Sequence, residues 1–148
     1  MNNLDYNFFE NYKRLDKLCS DMYVADRGVS TYIEEMEKYF SEGERQVSNW
    51  KQDYKMLKHL RWVRNKIAHE DDCNGFAKES DLNDLNDFYQ RFLHTQDPLT
   101  LLRRASQRSI KRKNSDNGDT SPASGAAGVV LAVLCIALIV LSLLEFIK

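Results

Sequence analysis

The sequence predicts an all-α protein: a four- to five-helix up-and-down bundle followed by one C-terminal transmembrane helix. Apolar residues recur at intervals of three and four along the first hundred positions, which is the spacing of one helix face. Capping and breaking residues separate these segments. An uncharged apolar run near the C-terminus is long enough to cross a bilayer. The predicted organisation is a bundle over 1–102, a basic juxtamembrane segment and flexible linker over 103–125, and a transmembrane helix over 126–147.

The first two helices follow from their apolar stripes. Gly28 marks a break between them, and Thr31 and Glu34 form a T-x-x-E pattern that predicts a capping box at the start of the second. The first stripe consists of Phe8, Tyr12, Leu15, Cys19 and Met22. The second consists of Tyr32, Ile33, Met36, Tyr39 and Phe40.

A third, long helix is predicted near Gln46 to Ala68, after a turn at "SEGER" and before the acidic stretch "HEDDCNG". Ser80 or Asp81 can cap a fourth helix, and Asp97-Pro98 fits an N-cap followed by proline at the first position of a short fifth helix. The third stripe consists of Trp50, Tyr54, Leu57 and Leu60. The fourth consists of Leu82, Leu85, Tyr89, Phe92 and Leu93.

The C-terminal part of the sequence predicts a membrane anchor. Residues Ala126 to Leu144 carry no charge, and 19 residues at about 1.5 Å each approach the ~30 Å hydrocarbon core. The preceding segment "RRASQRSIKRK" has six basic and no acidic residues, so the positive-inside bias predicts a cytoplasmic N-terminal domain on a single-pass anchor. We expect this segment to contact the bilayer surface through Arg103, Arg104, Arg108, Lys111, Arg112 and Lys113.

Charge and cysteine usage limit the function classes. The first 97 residues carry 14 basic and 19 acidic residues, a net charge of -5. The remaining residues carry 7 basic and 3 acidic residues, a net charge of +4. Such a split predicts different partners for the two parts. The three cysteines are widely spaced and predict no disulfide framework. We expect no cofactor and no metal, because His69, Asp71, Asp72 and Cys73 lack structural-zinc spacing.

The end of the third helix, "LRWVRNKIAHEDD", combines an arginine and a histidine in an unusual arrangement. With Leu57 at zero on a helical wheel, Arg64 falls at about -20°, near the centre of the apolar face, while Asn65 and His69 fall at about 80° and 120°. A guanidinium at that position requires a carboxylate, a second subunit or an anion beside it. Two structural explanations stay open: Arg64 pairs with Asp16 or Asp53, and His69 stabilises the helix C-terminus.

The hexapeptide "RNKIAH", Arg64 to His69, resembles the R-N-x-x-x-H signature of the HEPN superfamily, whose members are mostly dimeric four- to five-helix bundles. For the catalytically active families the resemblance implies metal-independent RNA cleavage, in a setting of stress or defence. It implies that Arg64 binds the phosphate, that His69 acts as general acid or base, and that Asn65 orients His69 or the phosphate. It also implies a homodimer that brings two motifs into one cleft.

Two functions therefore stay open. One is a membrane-anchored ribonuclease, with RNA along a basic ridge on the third helix whose candidate contacts are Lys55, Lys58, Arg61 and Lys66. The other is a non-catalytic HEPN-like module that dimerises and recruits a protein partner at the membrane. A third, weaker hypothesis is an assembly through the terminal helices, but Gly125 and Gly128 do not form a G-x-x-x-G face.

Overall fold

The computed structural model describes residues 2–24, 26–69 and 75–116, without the side chains of 113–116. Within these ranges every regular element is a helix, which confirms the all-α class. Six helices follow in chain order: α1 (Asn3–Tyr23), α2 (Gly28–Lys38), α3 (Phe40–Gln46), α4 (Trp50–His69), α5 (Glu79–Leu93) and α6 (Pro98–Asp116). A compact unit extends over Met1–Lys111.

One hydrophobic core joins the long helices. Helix α1 packs on α2, α4 and α5, and α4 also contacts α2, α3 and α5. Tyr32 of α2 meets the rings of Phe88 and Phe92 of α5 at 5.6 and 5.7 Å. The largest fully buried side chains belong to Phe8, Leu15, Tyr32, Met36, Trp50, Leu57, Leu60, Leu85 and Phe88.

Most of the predicted stripe residues lie in or against this core, but Leu82, Met22, Tyr39 and Leu93 do not belong to it. Met22, Tyr39 and Leu93 are 43, 48 and 49% exposed, and each lies near the end of its helix, where fewer neighbouring helices cover it. Phe88 is fully buried although it was not assigned to the predicted stripe of α5.

The local prediction for the turn between the second and third helices was wrong. "SEGER" lies in the short helix α3, and α4 begins at Trp50 rather than near Gln46. Gly43 explains the close packing there, since a Cβ at this position would lie 2.2 Å from ring atoms of Trp50. The glycine therefore allows α3 to rest directly on the buried indole.

The predicted cap of α2 was also wrong, whereas the cap of α6 is confirmed. Helix α2 begins at Gly28, before Thr31, and the N–H of Val29 donates to Oδ1 of Asp16 on α1 at 2.8 Å. A neighbouring helix thus supplies the acceptor that the local sequence was expected to supply. At α6, Oδ1 of Asp97 accepts from the N–H of Thr100 at 3.2 Å, directly before Pro98.

Helix α5 begins slightly earlier than predicted, with Lys78 at the N-cap position. Asp81 still acts at this end, because its Oδ2 accepts from the N–H of Lys78 at 3.0 Å. Asp5 of α1 binds the segment that precedes the same helix, because its carboxylate accepts from the N–H groups of Gly75 and Ala77 at 2.7 and 2.8 Å. These bonds tie the chain after α4 to the start of α1.

Helix α6 continues through the basic run that follows residue 102 and ends at Asp116. Within residues 2–24, 26–69 and 75–116, none of the helices combines the length and the apolar character that a membrane span requires. The transmembrane helix predicted over 126–147, and the linker residues from 117 onward, lie outside the described residues.

Candidate nucleic-acid interface

Arg64 lies on α4 at the edge of the core, not inside it. Its side chain is partly exposed, its Cζ is 5.6 Å from the ring centre of Phe9, and its Nη1 donates to Oδ1 of Asn65 at 3.2 Å. The wheel placed Arg64 near the centre of the apolar face, but in the structure its guanidinium lies over the ring of Phe9 on α1. The aromatic face and the amide oxygen therefore hold the guanidinium where a buried carboxylate was expected.

The two carboxylates proposed as partners of Arg64 are engaged elsewhere. Asp53 receives a bidentate pair from Arg91 on α5, with bonds of 2.9 and 2.7 Å. Asp16 accepts from the N–H of Val29. Within the described ranges, Arg64 forms no ion pair with a carboxylate.

A cleft of about 270 Å³ opens beside Arg64 between α1, α2 and α4. Arg61 lies one turn before Arg64 and its Nη1 donates to Oγ of Ser30 at 3.5 Å. Lining residues from the neighbouring elements are Tyr12, Lys13, Asp16, Asp26, Arg27 and Ser30. Sequence periodicity on one helix could not group these residues, because they come together only when α1 and α2 pack against α4.

Tyr12 adds a hydrogen-bond donor to the cleft. Burial raises the pKa of its hydroxyl above the ordinary value of 10.0, the charge of Asp16 raises it further, and the charges of Arg64 and Arg61 partly oppose this shift. The hydroxyl is therefore protonated at neutral pH. Four cations stand against two carboxylates in the lining, which suits a phosphate better than a cation.

His69 does not line this cleft. It is exposed and is the last residue of α4, which stays helical through it. Five residues along a regular helix turn by about 140° and advance by about 7.5 Å, so Arg64 and His69 face different sides of one chain. Asn65 is exposed and contacts Arg64. Within one chain, Arg64 and Asn65 are in contact, whereas His69 lies apart from them.

The four predicted RNA contacts divide between two faces of α4. Arg61 points into the cleft. Lys55 and Lys58 are exposed, and Nζ of Lys58 lies 5.0 Å from the ring centre of Tyr54. Nζ of Lys66 lies 5.8 Å from the ring of Trp62, a half-exposed residue that the sequence reading had not singled out. The ridge is therefore two basic surfaces rather than one.

The predicted membrane-surface cations lie on α6. Arg103, Arg104, Arg108, Lys111 and Arg112 are all exposed, and Nη2 of Arg104 donates to Oγ1 of Thr95 at 2.6 Å. The side chain of Lys113 lies outside the described residues. On a regular helix these five cations fall within about half of the circumference, where an anionic surface can meet several of them.

Potential metal ligands do not cluster on the part of the chain that the structure describes. No group of three or more His, Cys, Asp or Glu side chains there could hold a metal ion, while Asp71, Asp72 and Cys73 lie outside it. A second cleft of about 300 Å³ lies between α2, α3 and the start of α6, with Tyr23, Tyr39, Glu35 and Arg103 among its lining residues.

Comparison with known proteins gives a family but no function. No curated protein and no solved structure matches the chain significantly. A family profile matches residues 6–147, which includes both the helical unit and the apolar C-terminal segment. The chain therefore belongs to DUF6548, a family of unknown function.

Proposed function

We propose that this protein is a membrane-anchored, HEPN-like up-and-down bundle that acts as a dimeric, metal-independent endoribonuclease in stress or defence. The observation that carries the proposal is the state of Arg64. Its guanidinium is half-buried against Phe9, adjoins Asn65, and faces a mainly basic cleft with no carboxylate paired to it among the described residues. A phosphodiester supplies the missing anion with the bidentate geometry that arginine prefers.

The proposed chemistry needs three roles. Arg64 binds the scissile phosphate and offsets the negative charge that develops on it. His69 takes the proton of the ribose 2′-OH as that oxygen attacks phosphorus, or gives a proton to the departing 5′ oxygen. Asn65 holds the guanidinium of Arg64 in place through its side-chain oxygen.

A dimer is part of the proposal because one chain keeps Arg64 and His69 on different sides of α4. A two-fold arrangement can bring His69 of one protomer toward Arg64 of its partner. The two histidines would then be available for the base and acid steps.

The alternative function is a non-catalytic dimerisation or regulatory module that recruits a partner protein at the membrane. The observation that favours it is the separation of His69 from the Arg64 cleft, together with the carboxylates of Asp16 and Asp26 in the cleft lining. These negative charges weaken the attraction of a polyanion.

The membrane anchor is proposed from the sequence. Residues 126–147 supply the apolar span and the exposed cations of α6 supply the basic flank. The positive-inside bias then places the helical bundle on the cytoplasmic side.

The test uses the full-length chain in nanodiscs of neutral phosphatidylcholine. Wild type, Arg64→Ala and His69→Ala are incubated with a mixed RNA pool in EDTA. The matched controls are Arg45→Ala on α3 and His94→Ala at the end of α5, both exposed in the wild type. We expect cleavage by the wild type and controls, and a loss of about 100-fold or more in the two motif variants.

Mixing the two motif variants tests the shared site. If a site takes Arg64 from one chain and His69 from the other, subunit exchange between Arg64→Ala and His69→Ala restores part of the activity. No cleavage by the wild type, or equal cleavage by all proteins, rejects the ribonuclease and leaves the regulatory module.

A further inference from the structure

The outward face of α4 carries an exposed tryptophan among lysines. Trp62 is 51% exposed, which is unusual because tryptophan side chains are highly buried on average. Its indole stacks on the ring of His59 with centroids 5.9 Å apart and planes 22° apart. Nζ of Lys66 lies 5.8 Å from the indole centre. The ring is thus supported along the helix axis while half of its surface faces solvent.

The support for Trp62 reaches into the fold. Nε2 of His59 lies 3.1 Å from Oδ1 of Asp81, and the same carboxylate accepts from the N–H of Lys78 at the start of α5. Asp81 is buried, so it fixes the imidazole, and the imidazole orients the indole. A pre-oriented aromatic ring loses less conformational entropy when a planar group stacks on it.

The side chains that α4 presents around Trp62 include three lysines. Lys55, Lys58 and Lys66 lie on the same outward side of α4, within about 40° of Trp62 on the helical wheel. The acidic residue within the helix, Asp53, is buried and held by Arg91. A second copy of the chain that docked here by two-fold symmetry would set lysines against lysines. A polyanion with planar groups is complementary to this surface.

We infer that Trp62 is a base-stacking residue and that the substrate class is single-stranded RNA, with an unpaired base on the indole and its flanking phosphates on Lys55 and Lys58. Aromatic rings beside a basic track are the usual means of holding a single strand without reading its sequence. A duplex does not fit, because its bases are already stacked and paired and offer no free face to a convex helix.

The same face leads to the proposed catalytic histidine. Trp62 and His69 are seven residues apart, which places them within about 20° of each other and about 10.5 Å apart along the axis of α4. A strand stacked on Trp62 can therefore continue past His69. This inference rests on the proposed ribonuclease function, but it is tested by binding rather than by cleavage.

The chain has two tryptophans, of which Trp50 is fully buried and Trp62 is half exposed. Trp50 therefore serves as an internal reference when RNA quenches the fluorescence of Trp62. Full-length protein in neutral phosphatidylcholine nanodiscs is titrated with a 12-nucleotide RNA of non-cleavable 2′-O-methyl residues, either single-stranded or annealed to its complement. Indole fluorescence and the anisotropy of a 5′ label are followed. The variants are Trp62→Ala, Trp62→Phe and, as an exposed-aromatic control on α1, Tyr6→Ala.

We expect the single strand to quench wild-type indole fluorescence and to bind more tightly than the duplex. Trp62→Ala should bind the single strand about 5- to 100-fold more weakly, from the usual contribution of one stacked base. Trp62→Phe should recover most of the affinity without the quench, and Tyr6→Ala should match the wild type.

Three results would overturn the inference. The first is equal RNA affinity of Trp62→Ala and the wild type. The second is a change in the oligomeric mass of Trp62→Ala with unchanged RNA affinity, which would make Trp62 a protein contact. The third is a blue shift of the indole fluorescence in nanodiscs with anionic lipid, without quenching by RNA, which would make Trp62 a membrane contact. If RNA binds through Trp62 but is not cleaved, the ribonuclease proposal is rejected while the inference about Trp62 stands.

Discussion

The hydroxyl of Tyr32 donates a hydrogen bond of 2.7 Å to Oδ1 of Asp97, and both residues are buried. The same hydroxyl accepts from the N–H of Leu99 at 3.3 Å, while Oδ1 of Asp97 also accepts from Thr100. One buried hydroxyl thus links α2 to the first turn of α6 and takes part in its cap. The start of the basic helix is therefore attached to the core of the bundle.

Replacing Tyr32 with phenylalanine should destabilise the protein by about 1.5–3 kcal/mol, the range for a hydrogen bond to a charged group. The substitution keeps the ring packing but leaves a buried carboxylate oxygen and the N–H of Leu99 without this partner. Urea unfolding of the helical signal measures the effect. Tyr39→Phe is the control, because Tyr39 is 48% exposed, and it should change stability little. Equal stabilities of the two variants would contradict the role of the buried hydroxyl.

Stability should fall as pH rises from about 9 to 11. Burial raises the pKa of the Cys19 thiol above its ordinary 9.0 and the pKa of the Tyr12, Tyr23 and Tyr32 hydroxyls above 10.0. The folded state then holds protons that the unfolded state releases, so the stabilisation is complete below the unfolded pKa and is lost above it. Urea midpoints at pH 7, 9, 10 and 11 under reducing conditions measure this. Tyr32→Phe should show a shallower decline, and a flat profile for the wild type would refute the argument.

The ion pair between Arg91 and Asp53 should contribute far more than a surface pair. Arg91 forms two bonds to a carboxylate that is only 9% exposed, and that hydrogen bonding raises the pKa of Arg91 above its ordinary value. Arg91→Ala leaves the buried charge unpaired. Removing one partner of a fully buried pair costs about 3–5 kcal/mol of unfolding free energy. Because Arg91 itself is 25% exposed, we expect Arg91→Ala to lower the unfolding free energy by about 2 kcal/mol.

Arg27 offers the matched control for Arg91. It meets Glu34 at 3.4 Å with both side chains well exposed, so Arg27→Ala should cost less than about 0.5 kcal/mol. Thermal and urea unfolding of the two variants compare them directly. A cost for Arg27→Ala as large as that of Arg91→Ala would show that burial does not decide the difference.

Asp5→Asn should loosen the chain between α4 and α5. The carboxylate accepts from Gly75 and Ala77 through different oxygens, and an amide retains just one acceptor atom. We expect a loss of about 1.5–3 kcal/mol, with faster hydrogen exchange at the Gly75 and Ala77 amides. Asp21→Asn is the control, since Asp21 is 64% exposed. Unchanged exchange at both amides in Asp5→Asn would count against this tether.

Several features follow from residue types and spacing because they depend on local physics. The stripes of α1 and α4 predicted the burial of Phe8, Leu15, Trp50 and Leu57, since a helix that buries one face must place apolar residues at intervals of three and four. The Asp97-Pro98 pair predicted the start of α6 because both residues act within one turn. The membrane anchor remains a prediction of the same kind.

Other features were decided by which helix lies beside which. Periodicity marks a face as apolar but does not name its neighbour, so it placed Arg64 in the core although α1 leaves it open beside Phe9. The T-x-x-E pattern placed the start of α2 at Thr31, whereas the N–H of Val29 donates to Asp16 of α1. The sequence by itself determined the helical class and the positions of most core residues, through local spacing. Only tertiary packing decided that Arg64 faces a cleft and that Asp81 orients His59 beneath Trp62, because those contacts join residues far apart in the chain.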